Sequence, residues 1–328
     1  MGASRHLTRA RLNEILRRQN PPRFGTGYEP AIKATREEAP SISRPAWVWS
    51  EFLGRYISTL SGPERSFLPL ALYSPALFEL QEQRMLPFLP ANHPLHGHPF
   101  AVGMHLPAFR GTISVADELG VFHFHPIIPA PRGDSSAEAQ AVPGCWIGDF
   151  LFFLRDARGP YCVNVSVKDR RDAFRTPTIG LTPKTNLKRA LQAEAARHLI
   201  EERLYRDVGI PTQQVAAEEL DPIVVDNLQQ LLLWQKRGHE LDDERVEGIV
   251  EAFKDGLAAG ASALAVIRAL EVSEGLSEEA VKTVLYQAIW NRRLRIDLFR
   301  RFWLDEPMEP EVRDVLDVYG DFFRRPTA

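Results

Sequence analysis

Residues 149–168 read DFLFFLRDARGPYCVNVSVK. Asp149–Leu154 is an almost continuous apolar run, as in a strand covered on both faces. Asp156-Ala157-Arg158-Gly159-Pro160 supplies turn chemistry. Tyr161–Lys168 then alternates, with Tyr161, Val163, Val165 and Val167 on one side and Cys162, Asn164, Ser166 and Lys168 on the other. Two strands and a tight turn predict a hairpin in which Asp149, at its start, meets Lys168, at its end. The polar side of the second strand has two readings, a solvated sheet edge or an active site.

Upstream, Ser74-Pro75 reads as a helix start, with Ser as N-cap and Pro in the first turn. The helix is expected to run through Leu77, Leu80 and Met85 until Pro87 stops it. It would carry Glu79 and, three residues on and on the same face, Glu82. Val121–Ile128 predicts a short strand that turns His123 and His125 toward Asp149. Arg132–Gln140 reads as a polar loop. Downstream the texture becomes helical, with helices predicted over Leu187–Arg206, Pro222–Trp234, Asp242–Leu257, Ala261–Leu270 and Ser277–Arg293. Leu294–Phe302 is expected to add a short strand or ribbon. The layout is a basic, Pro-rich leader over 1–45, an α/β unit over 46–178 and a mainly α unit over 179–328.

The chain has 328 residues, 40 Lys+Arg against 43 Asp+Glu, and a formal charge of −3. That balance gives no global attraction to nucleic acid, so any such binding must come from local clusters. The ordinary 44% hydrophobic and 25% charged content excludes a disordered or collagen-like chain. No stretch approaches the ~18–20 apolar residues of a membrane span. The Arg-rich start lacks the apolar segment of a secretory signal. It reads equally as a phosphate-holding arm or a solvated terminus. Only Cys145 and Cys162 occur, which fits a reducing compartment, and a cytoplasmic location is expected. Lys168, Arg170, Arg171, Arg175, Lys184, Lys188 and Arg189 form a basic run placed to meet DNA phosphates. The His-rich stretch from His93 to His125 lacks evident partners for a four-ligand zinc site.

An acid on an upstream helix, an aspartate on a hairpin and a strand-borne lysine form the layout of restriction-endonuclease-like nucleases. There, carboxylates hold Mg²⁺ beside the scissile phosphate, and the lysine offsets charge or positions the nucleophile. Their usual motif is Pro-Asp, then (Asp/Glu/Gln)-x-Lys; here it is Gly148-Asp149 and Ser166-Val167-Lys168. Residues 197–215 (RHLIEERLYRDVGIPTQQV) and 218–228 (EELDPIVVDNL) resemble the TnsA family, the endonuclease subunit of heteromeric bacterial transposases. Residues 285–290 (LYQAIW) and 295–298 (RIDL) extend the resemblance, which covers residues 70–305. It implies an α/β restriction-endonuclease-like N-terminal domain followed by a mainly α winged-helix-like C-terminal domain. It also implies Mg²⁺-dependent cleavage, with Mn²⁺ able to substitute, of the 5′ strands at transposon ends in double-stranded DNA. The implied partners are a DDE transposase subunit (TnsB-like) and an AAA+ regulator (TnsC-like), with no membrane.

Carried over by position, Glu79 matches the helical metal-binding acid, with Glu82 as the alternative. Asp149 matches the central ligand, the Val167 carbonyl a backbone ligand, and Lys168 the catalytic lysine. Ser166 stands where the family has Gln or another longer polar residue, and its hydroxyl reaches a cation only through a water. Two further readings remain open on the residues: a stand-alone restriction or repair nuclease, which would cut alone, and an inactive DNA-binding scaffold.

Overall fold

From Leu7 onward the arginine-rich start of the chain is folded rather than a free arm. The computed structural model describes residues 7–41, 43–130, 140–175 and 187–325, and in it Arg9–Gln19 form a helix, α1. Thr8 starts it by accepting from the Arg11 N–H. Leu12 and Ile15 are buried, and Arg11 and Arg18 both bind Glu38 at 2.7 Å. Guanidinium groups held by Glu38 are not free to meet phosphate.

A small hairpin, β1 (Ala46–Ser50) and β2 (Arg55–Thr59), precedes α2 (Gly62–Leu72). Ser61 caps α2 and Pro63 lies in its first turn. The next element, β3 (Leu77–Glu82), is a strand where Ser74-Pro75 predicted a helix. The cause is a bulge between Leu77 and Glu79. It brings Leu77 and Leu80 to one face, opposite Leu154 and Phe152. Apolar residues three apart on one face are a helical signature, and a bulged strand imitates it. Next come α3 (Thr112–Glu118), β4 (Ile127–Ile128) and β5 (Val142–Pro143). The strand expected over Val121–Ile128 shrinks to β4, because Phe122–Phe124 make a 3₁₀ turn ahead of Pro126. The predicted loop lies outside the described residues, apart from its last residue.

β6 (Phe150–Asp156) and β7 (Gly159–Lys168) form the predicted hairpin, from Phe150↔Val165 to Asp156↔Gly159. Gly159 closes the turn at φ +102°, a backbone conformation that side chains resist. α4 (Leu187–Arg206) crosses over, and β8 (Thr212–Ala216) returns parallel to β7. The sheet order is β3-β6-β7-β8. One face packs with Phe67 and Leu70 of α2, the other with Ile200, Leu204 and Tyr205 of α4. Cover on both faces accounts for the uninterrupted apolar run in β6.

The second half is mainly helical: α5 (Pro222–Trp234), α6 (Asp243–Ala258), α7 (Ala263–Glu274), α8 (Glu278–Trp290) and the short α9 (Val315–Val318). The first four follow the predicted helices closely. Leu294–Phe302 is not a strand; it contributes only the isolated bridge Ile296↔Pro310, beside Ser262↔Pro307. The Asn227 side chain takes the carbonyls of Leu298 and Arg300 and the Phe302 N–H, so a ladder cannot use them. Tyr73 packs on Trp290 and Phe152 on Phe323, joining the two halves in one core. The expected boundary at 178/179 lies outside the described residues. Among those described, no helix is long and apolar enough to cross a membrane.

Candidate metal centre

The β6–β7 pairing begins at Phe150↔Val165, so Asp149 and Val167 stand just beyond the last pair. Asp149 takes the place of a strand partner there. Its Oδ2 accepts the Val167 N–H at 2.8 Å and the Ser166 hydroxyl at 3.4 Å. Asp149 is buried, and the carboxylate is held in one orientation.

Glu64, in the first turn of α2, lies in the field of Asp149. Ser61 donates its hydroxyl to Glu64 Oε1 at 2.8 Å, and the Leu60 N–H donates to Oε2 at 2.8 Å. Gln83 links the two acids: its Nε2 donates to Glu64 Oε2 at 3.0 Å, and its backbone N–H donates to the Asp149 carbonyl at 2.8 Å. Burial, followed by the negative charge of Asp149, pushes the Glu64 carboxyl up to about 8, against the pull of the Leu60 and Ser61 hydrogen bonds. Among the described residues no Lys, Arg or His nitrogen lies within 4 Å of either carboxylate. The sequence reading missed Glu64. Its signal was present as Ser61-x-x-Glu64 ahead of Phe67-Leu68, but that pattern also reads as an ordinary capping box.

Lys168 ends β7 on the α4 side. Its Nζ pairs with Glu194 Oε1 at 3.2 Å, and His198 Nε2 lies 3.2 Å from the same oxygen. Burial pushes Glu194 up, but His198, Lys168 and Arg197 outweigh it and hold the carboxyl well below the usual range. Arg197 donates to the Ile147 carbonyl at 2.9 Å and lies in the fields of Glu201, Glu194 and Asp149. Asn164, on the same face of β7, donates to Glu201 at 3.1 Å. The end of β7 is therefore reached from both faces of the sheet. A groove of about 420 Å³ includes Arg44, Ser61, Pro63 and Asp169 on the α2 side. A cleft of about 500 Å³ includes Ser166, His198 and Glu201 on the α4 side.

The two acids expected from a helix lie elsewhere. Glu79 and Glu82 are on β3, and neither makes a hydrogen bond or ion pair with Asp149. Glu79 accepts the Gly25 and Leu80 N–H groups and lies 3.9 Å from Arg55. Glu82, fully buried, takes both Arg55 at 2.9 Å and the Ser58 N–H at 3.1 Å. Their predicted helical face does not exist, because the bulged strand replaced the helix. His125 is also diverted: its ring bonds to Thr112 at 2.9 Å. Arg170 pairs with Asp172 and Arg171 with Glu219, both on the surface. Arg175, Lys188 and Arg189 are exposed, and Lys184 lies outside the described residues.

Glu64 and Asp149 fit a hard divalent cation in donor chemistry, since both are carboxylates fixed by hydrogen bonds and, among the described residues, neither is in contact with a Lys, Arg or His nitrogen. Among the described residues, however, no three His, Cys, Asp or Glu side chains gather closely enough to hold a metal by themselves. No protein-family model matches this chain, and no curated protein matches it either.

Proposed function

We propose that this chain is a Mg²⁺-dependent DNA endonuclease of the TnsA type, cutting the 5′ strands at transposon ends beside a DDE transposase subunit and an AAA+ regulator. The observation that carries the reading is the approach of helix-borne Glu64 to hairpin-borne Asp149, with no Lys, Arg or His nitrogen within 4 Å of either among the described residues, at the end of the strand that bears Lys168. Glu64 takes the role that the resemblance attached to Glu79. The sheet between α2 and α4 supports a restriction-endonuclease-like first half. The α5–α8 helices and the bridged segment around Ile296 and Pro310 support a winged-helix-like second half.

Glu64, Asp149 and the Val167 carbonyl would hold the cation, which when bound polarises a phosphate oxygen and lowers the pKa of a water. The chain's own residues do the rest. Val167 and Ser166 orient Asp149, and Leu60 and Ser61 orient Glu64. Glu194 holds the Lys168 ammonium at the strand end, where it balances charge gathering on the phosphate. Arg170 and Arg171 exchange exposed salt bridges for DNA phosphates at little cost, since such surface pairs contribute only about 0–1 kcal/mol.

The test is strand release at transposon ends, with the partner subunits supplied, by wild type, Glu64→Gln and Asp149→Ala. Loss of 5′ cleavage in both variants is expected; full-rate cleavage by either would overturn the site. A second reading, a DNA-binding scaffold, draws on the Lys168–Glu194 ion pair and the short Ser166. It predicts recombination that survives Glu64→Gln, Asp149→Ala and Lys168→Met combined.

A further inference from the structure

We infer that Gln83 supplies a third side-chain oxygen to the cation site, an inference that rests on reading Glu64 and Asp149 as its acids. Two carboxylates leave a hard cation short of protein oxygens, because Mg²⁺ and Mn²⁺ favour about six ligands and accept amide carbonyls. With no third carboxylate, imidazole or thiolate in place among the described residues, any further protein donor beside water is an amide, a hydroxyl or the backbone.

Gln83 meets that need on four counts. It is fully buried, at 0% exposure, yet among the described residues its Oε1 has no hydrogen-bond partner. Buried amide oxygens are almost always satisfied, so an orphan at an acid pair points to a missing partner. Its Nε2 rests on Glu64 Oε2 at 3.0 Å, which sets the amide at the acids. Its backbone is pinned on both sides, to the Asp149 carbonyl at 2.8 Å and by the Ala31 N–H at 3.0 Å. Finally, its φ of +48° is a left-handed conformation that a residue other than glycine adopts at a strain. Such strain collects where surrounding structure imposes it for a purpose. Turning the amide end for end does not remove the orphan; it moves it from oxygen to nitrogen.

The ion-binding measurement uses the full-length protein, Mn²⁺ titration calorimetry and Tb³⁺ luminescence lifetimes, which count waters on the bound ion. It is run at pH 8.5, where Glu64 is mostly ionised. Gln83→Asn keeps an amide and tolerates positive φ, but withdraws the oxygen by one methylene. It is expected to weaken Mn²⁺ binding about tenfold and to add one water to bound Tb³⁺. Gln83→Glu, with an oxygen in the same place and a charge added, is expected to bind more tightly with the wild-type water count. An unchanged affinity and water count in Gln83→Asn overturns the inference. Should Gln83→Asn not fold, weaker binding with an extra water in Gln83→Glu overturns it, and tighter binding without one upholds it. Asp149→Ala separates the two levels. If it too binds Mn²⁺ like wild type, the cation site itself has failed; if it alone loses binding, only the role of Gln83 has.

Discussion

Two buried acid pairs stand within this α/β half, and they differ in what neutralises them. Glu79 and Glu82 of β3 share Arg55, whose guanidinium is 2.9 Å from Glu82 and 3.9 Å from Glu79. Glu64 and Asp149 have hydrogen-bond donors but, among the described residues, no Lys, Arg or His nitrogen within 4 Å; Arg197 reaches Asp149 only through its field. A buried carboxylate is costly unless it is paired or protonated. The first pair carries its counter-ion within the fold. In the second, burial and then the charge of Asp149 push the Glu64 carboxyl up to about 8, so the pair meets the cost partly by protonation. Under the proposed function, a cation from solution would complete this second pair.

The comparison breaks most directly at Asp149. Asp149→Asn keeps the shape and removes the charge, and is expected to abolish Mn²⁺ binding and lower cleavage about a thousandfold. Calorimetry and strand-release assays read the two effects separately. At the closed pair the loss should appear in stability instead. Arg55→Met strands the Glu82 charge without its counter-ion and is expected to cost about 3–5 kcal/mol in urea unfolding. Were Arg55→Met to cost under about 1 kcal/mol, the contrast with the open pair would be wrong, because breaking a buried ion pair should strand a charge.

A smaller effect follows from the proton on Glu64. The folded chain holds that proton up to about 8, while the unfolded chain releases it near the ordinary value of 4.5. The folded state binds more protons between these values, so its stability falls as pH rises through that window. Glu64→Gln should flatten the fall, which unfolding midpoints at pH 5 and pH 8 would show. A cation must displace the same proton. Mn²⁺ affinity is therefore expected to rise by up to about tenfold per pH unit below 8 and to level off above it. A pH-independent affinity would mean that Glu64 is not a ligand.

The hairpin, α4 and α5–α8 were legible because their signals are local: alternation, turn residues, caps and helical periodicity. The contact of Asp149 with Ser166 was legible for the same reason, being fixed by the register of one hairpin. The expected meeting of Asp149 with Lys168 was not, since Lys168 pairs with Glu194 on α4 instead. What was hidden depends on contacts distant in sequence. The bulge after Leu77 is decided by pairing with Leu154, and without that partner Leu77 and Leu80 read as a helix. Glu64 looked like a cap because it is one, and only the fold sets Asp149 opposite it. Gln83 gave no pattern at all, since its burial and backbone conformation appear only when Asp149 and Ala31 close around it.

The smallest expected effect is the sharpest check on that correction. Glu79 is the acid that sequence alone would put in the site. In the fold its carboxylate serves the Gly25 and Leu80 N–H groups and faces Arg55. Burial raises its pKa, against those N–H groups and the Arg55 charge. A glutamine keeps an acceptor oxygen for the N–H groups and gives up only the weak, 3.9 Å ion pair. Glu79→Gln is therefore expected to cost about 1 kcal/mol or less in stability. Nothing in its contacts connects it to Asp149, so Mn²⁺ affinity and cleavage should stay within about twofold of wild type, a shift of roughly 0.4 kcal/mol. Loss of cation binding in Glu79→Gln, with Glu64→Gln unaffected, would return the site to β3 and make Arg55 rather than Gln83 the residue to explain.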